Sequence, residues 1–236
     1  MTHNRRETLG LMAGAAAASG LASHAIAAPM RTQVGDAEIS WQSRGDGAPL
    51  LLLNRFRAAM ADWDPDLLDA LAKSHRVITF DSAGVGDSSG TVPATLEGAA
   101  DVAMGLADAL GLEQPHILGW SMGGMTAQVA AAKYGARLGR VVLAGTTPSL
   151  RLAGTQPVPQ DWLATAGKEI NTPEDMLFLF YADSASSHAA GRASLARIGA
   201  GDAEAGARPK TSLQPMAAQA AATRAFLSGE DHAFDR

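Results

Sequence analysis

Four short apolar runs constrain this chain more than any other feature: APLLLLN (48–54), HRVITF (75–80), PHILGW (115–120) and GRVVLAG (139–145). Each has strand length: APLLLLN reads as a strand buried on both faces, HRVITF as another short buried strand, and the last two as further strands. Segments of helical character lie between them. DPDLLDALAKS places Leu67, Leu68 and Leu71 on one face behind the helix-starting pair Asp64 and Pro65. TLEGAADVAMGLADALGL begins at a capping Thr95 and stops at Gly111, and an Ala-rich segment follows Ser121. Strands and helices thus alternate from Leu50 to Gly145, which predicts an α/β fold: a mostly parallel sheet joined by helical crossovers and flanked by helices. Upstream, DAEISWQSRG alternates apolar Ala37, Ile39 and Trp41 with Glu38, Ser40 and Gln42, the pattern of a half-buried strand.

After Pro148 the character changes. RLAGTQPVPQ is a Pro/Gly linker, and the remainder reads as helices over 161–168, 173–182, 186–198 and 212–228 with no further buried β run. This predicts a helical cap beside the sheet, with the Ala/Gly-rich stretch Arg192 to Arg208 as a mobile linker. At the other end, Arg5-Arg6, an apolar Ala/Gly-rich run from Leu9 and the small-x-small site Ala25-Ile26-Ala27 have the order of an export signal. It resembles a twin-arginine signal, with Sec export the competing reading. The expected organisation is therefore 1–27 signal, 28–148 α/β core, and 149–236 helical cap and C-terminal part. The expected location is the bacterial periplasm or outside the cell, with no membrane span in the mature chain. The 236 residues include no cysteine, which excludes disulfides and thiolate metal sites. A net charge of −5 without a basic stripe argues against nucleic acid as a partner.

Gly119-Trp120-Ser121-Met122-Gly123 is a G-x-S-x-G pattern lying where an apolar β run meets a helix. Gly86-Asp87-Ser88-Ser89-Gly90 matches the same pattern, but a loop precedes it and no helix opens at its end. The context gives the first match its meaning. A serine between strand and helix must take a strained backbone conformation, and small neighbours relieve the contacts this creates. The turn lifts Oγ clear of the sheet and puts the Met122 amide at a helix N-terminus, where negative charge is favoured. An N-capping serine in a plain tight turn is the alternative.

At these residues the chain resembles the α/β-hydrolase family. The resemblance rests on LLLNRF…WDP, FDSAGVGDSSG, LGWSMGG and VVLAGTTP, and covers about Ile39 to Gly145. It implies Ser121 as nucleophile, an oxyanion hole from the backbone N–H groups of Met122 and Phe56, and a loop shaped by Asp81, Gly84 and Gly86. It also implies a small-molecule acyl substrate and neither metal nor cofactor. Most relatives carry His-Gly where this chain has Asn54-Arg55. Two readings of Arg55 and Arg57 stay open: solvated side chains anchoring the loop by surface ion pairs, or cations that draw an acidic substrate.

A serine hydroxyl needs a base within hydrogen-bond reach. The family order is Ser, then acid, then His. Of six histidines, His3 and His24 leave with the signal, while His75 and His116 precede the serine. Only His188 and His232 follow, and either as base would be a relocation. With no β run after Pro148, the expectation is a chain truncated relative to the family, without its C-terminal strands, triad acid and histidine. The expected function is a serine hydrolase acting on an ester or related acyl bond. The alternatives are a non-catalytic member that binds a small molecule and a cofactor-free perhydrolase or haloperoxidase.

Overall fold

The computed structural model describes residues 28–149, 158–205, 213–230 and 234. The segment 1–27 and His232 lie outside the described residues. Six strands form one sheet: β1 (Met30–Val34), β2 (Ala37–Arg44), β3 (Ala48–Leu53), β4 (His75–Phe80), β5 (His116–Trp120) and β6 (Val141–Ala144). Their order is β1-β2-β4-β3-β5-β6. β1 pairs antiparallel with β2, and β2 with β4, whereas β4, β3, β5 and β6 run parallel. β1 was not anticipated. MRTQV is short, mostly exposed and not apolar, and it forms because Gly35, at φ +59°, turns the chain back onto β2.

The run Leu50 to Leu53 shows why the central strands contain so few polar residues. Leu50 and Leu52 pack with Val77, Trp63 and Leu68, under α1 (Pro65–Ala72). Leu51 and Leu53 point the other way, into a cluster with Ile78, Phe80 and Ile117 beneath α2 (Leu96–Ala109) and α3 (Met122–Tyr134). Alternate residues of one strand thus fill both helical layers. The helix starts are as expected: Asp64 accepts from the Asp66 amide with Pro65 following, and Thr95 accepts from the Gly98 amide.

Beyond the sheet come α4 (Gln160–Ala166), α5 (Pro173–Phe180), α6 (Ala185–Ala205) and α7 (Leu213–Ser228). Among the described residues no strand follows β6, and no helix is long and apolar enough to cross a membrane. α7 returns to the α2–α3 layer, where Phe226 and Ala222 are buried. The expected linker from Arg192 is corrected as far as Ala205, because α6 continues through it. Alanine's helix propensity outweighs the glycines there, and packing supports the helix. Gly191 leaves no room for a Cβ beside Leu177 and Tyr181, so α5 and α6 meet closely.

Candidate functional site

Ser121 occupies the junction of β5 and α3 at φ 54°, ψ −117°, a backbone region that side-chain-bearing residues rarely enter. The surroundings hold it there. Its N–H donates to the Ala144 carbonyl of β6 at 2.9 Å, and its carbonyl accepts from the amides of Gly124 (2.8 Å) and Met125 (3.1 Å) and from Thr146 Oγ1 (2.8 Å). A Cβ on Gly119 would lie 2.3 Å from the Gly123 carbonyl oxygen, and one on Gly123 only 2.1 Å from that of Leu53. Both flanking glycines are sterically required. The second G-x-S-x-G match is structural: Ser88 Oγ donates to the Asp81 carbonyl and accepts from the Ser40 amide, joining loop to sheet.

Ser121 lines a cavity of about 410 Å³, within the usual range for small-molecule sites. Arg55, Phe56 and Arg57 from the loop after β3 form one wall, and residues of α4, α5 and α6, among them Ala166, Met176, Phe180 and Leu195, form the others. Met176 and Phe180 line the cavity's apolar side. Met125 is core, Met122 packs against the core and Phe178 is half exposed on the outside. The backbone N–H groups of Phe56 and Met122 have no acceptor among the described residues. Met122 is the first residue of α3, so its free N–H lies at the positive end of that helix.

The loop carrying Phe56 is held by contacts of high sequence separation. Asn54 donates to the Phe80 carbonyl and accepts from the Trp63 indole, so both its amide nitrogen and its oxygen hold the loop. Asp81 is buried, and its carboxylate accepts from the amides of Met60 (2.7 Å) and Asp87 (2.9 Å); it shapes the loops on both sides, with Gly84 and Gly86 at positive φ. Arg57, at φ 64°, donates its amide to the buried Gln219 of α7 at 2.9 Å, and its guanidinium holds the carbonyls of Lys168 and Glu169 just past α4. Of the two readings of Arg55, loop anchoring by an ion pair fits the structure, but the side chain is not solvated. It is 12% exposed, paired with Asp62 at 3.1 Å, and lies 5.4 and 5.3 Å from the ring centres of Trp120 and Phe180. Burial lowers its pKa from the ordinary arginine value, and the Asp62 carboxylate opposes that shift.

His188 is not brought to Ser121. It sits near the start of α6, outside the cavity lining, with Nε2 4.0 Å from Asp183. Among the described residues no side chain hydrogen-bonds Ser121 Oγ. Sequence reasoning missed Gln219 and Asp62 as supports of the site. Gln219 lies 162 positions from the amide it holds, and no local pattern encodes that contact.

A mostly parallel sheet in this strand order, with a strained serine at a strand-to-helix turn facing a cleft, defines an α/β protein of the hydrolase architecture. The chain belongs to the alpha/beta hydrolase fold family, whose model matches residues 48–195. It is similar to the solved alpha/beta hydrolase fold protein from Chitinophaga pinensis, at 27% identity and TM-score 0.73 over 85% of this chain and 72% of that one. It is 33% identical over 121 residues to the human serine hydrolase BPHL, covering 49% of this chain and 42% of BPHL. To the proline iminopeptidase PfmaB of Pestalotiopsis fici it is 34% identical over 122 residues, covering 50% of this chain and 43% of that protein. The chain spans about half or less of the length of the curated relatives it matches.

Proposed function

We propose that this chain is a serine hydrolase that cleaves an ester or related acyl bond of a small molecule through an acyl-enzyme on Ser121. The observation that carries the reading is the backbone of Ser121, at φ 54° and ψ −117° on the wall of a small-molecule-sized cavity. Strain at a residue that lines a cleft is the signature of a functional group held in place by its surroundings. In this reading Ser121 Oγ attacks the acyl carbon and its proton passes to a base. The carbonyl electrons move to oxygen, which the N–H groups of Met122 and Phe56 stabilise. Collapse expels the alcohol or amine, and water then releases the acid from Ser121. The base comes from outside the described residues, where His232 is the candidate within this chain. The relatives' names, a serine hydrolase and an iminopeptidase, support acyl cleavage as the class.

We further read α4 to α6 as a cap over Ser121, and 1–27 as an export signal that would place the enzyme outside the cytoplasm. A fluorophosphonate probe tests the central reading. The full chain should be labelled, and Ser121→Ala should lose the label while the Ser88→Ala variant keeps it. A folded chain whose Ser121 stays unlabelled but which still binds small apolar ligands would establish the non-catalytic alternative, and peroxide-dependent halide oxidation the perhydrolase one.

A further inference from the structure

A buried cation is expensive unless its partners compensate it, so the partners of Arg55 reveal its task. One terminal nitrogen donates to the Phe56 carbonyl at 3.0 Å, and the other to Asp62 Oδ1 at 3.1 Å. The second oxygen of Asp62 accepts from the Ala59 amide at 2.7 Å. Together the fork and the carboxylate staple the segment 56–59 at both ends. The guanidinium also packs against the rings of Trp120, the residue before Ser121, and Phe180, the last residue of α5, which meet each other edge to face at 5.2 Å. One side chain therefore touches the loop that carries Phe56, the strand end that presents Ser121, and a cavity-lining helix.

The same contacts argue against a receptor for an acidic substrate. Both terminal nitrogens are engaged, and Asp62 neutralises the charge. Nε is buried without an acceptor among the described residues, so the side chain is oriented by the staple and the two rings at the expense of one donor.

We infer that Arg55 is a positioning residue: by gripping the Phe56 carbonyl while packed against Trp120 and Phe180, it fixes the residue whose amide would face the oxyanion and couples that alignment to the seating of α5. The role rests on the Ser121 reading. A glycine at this position brings an amide close through flexibility, whereas this chain achieves the alignment through a clamp.

The test uses the full chain and two readouts. Reaction of Ser121 with a neutral fluorophosphonate should slow in Arg55→Ala by roughly 10- to 100-fold in maximal rate, the scale of weakening one oxyanion donor. The half-saturating probe concentration should be unchanged, and added guanidinium should restore part of the rate. Arg55→Lys, which keeps the charge but loses the fork, should also be slow. Amide exchange over 56–59 should rise in Arg55→Ala while that of α3 stays as in the wild type. An unchanged maximal rate, a loss confined to carboxylate-bearing probes, or unchanged exchange over 56–59 would each overturn the inference. If the wild-type chain fails to label, the Ser121 reading falls instead, and the exchange measurement alone decides whether the clamp exists.

Discussion

Gly123 has no space for a side chain: a Cβ there would lie 2.1 Å from the Leu53 carbonyl oxygen and 2.7 Å from that of Asn54. Both obstacles are backbone atoms of β3 and its loop, so relief requires moving the sheet or tilting α3. Gly123→Ala should therefore destabilise the chain by ~1–3 kcal/mol, the usual range for overpacking, and should displace Ser121 from its turn. Gly135→Ala is the control. It lies at the end of α3 with φ −50° and nothing within 4 Å of the added methyl, and should stay within about 0.5 kcal/mol of wild type. Urea unfolding of the two variants checks both numbers, and equal midpoints would refute the packing argument. The need for small residues at 119 and 123 was legible in the sequence, because strand, serine and helix are contiguous. The setting of Arg55 was not. Whether an arginine is solvated or stapled depends on Phe180 and Trp120, which reach it only after folding.

At the scale of elements, the central strands were readable because burial on both faces leaves an uninterrupted apolar run, and the helices because their caps and faces are local; β6 keeps such a run although its Val142 and Leu143 are half exposed. β1 escaped notice because an exposed edge strand needs no apolar pattern, and the extent of α6 because its support comes from other elements. One such support is the ion pair between Arg197 of α6 and Asp64, the residue that caps α1, at 2.6 and 2.8 Å. It holds α6 against the core, and α6 contributes Leu195 and Ile198 to the cavity wall. Hydrogen bonding from Arg197, against an opposing effect of burial, keeps the Asp64 carboxyl at about 2, below its ordinary 3.8. The folded value is the lower one, so the pair stabilises fully above the unfolded value and is lost as pH falls through the folded one. Arg197→Ala should cost ~0.5–1 kcal/mol at neutral pH. Its urea midpoint should converge on that of the wild type as pH falls from about 4 toward 2, whereas a gap independent of pH would show that packing, not the ion pair, holds the helix.

For the whole molecule, the two edges of the sheet differ in kind. β1 carries Arg31 and Gln33, and Arg31 is tied to Glu38 and to the Asp87 carbonyl, so that edge is polar. β6 pairs only with β5 among the described residues, and its adjacent Val142 and Leu143 are 49% and 47% exposed. Neighbouring residues of a strand point to opposite faces, so each face of the sheet is only half covered at this edge. Such an edge is a template for another strand, and nothing in its chemistry selects against a second copy of the chain. The full chain should therefore self-associate with rising concentration, and the contact should be β6. Replacing Val142 and Leu143 together by lysine brings like charges opposite one another in a β6–β6 pairing centred on these residues and removes the apolar area that drives it. Association should weaken by ~1–2 kcal/mol, roughly tenfold in its constant, in sedimentation or light-scattering measurements. Ser121 reaches β6 through the hydrogen bond from its amide to the Ala144 carbonyl, so the same variant also measures how far the turn depends on an ordered edge. Fluorophosphonate labelling that survives while association declines would place the two properties on separate parts of the strand, and association that persists unchanged would move the contact away from β6.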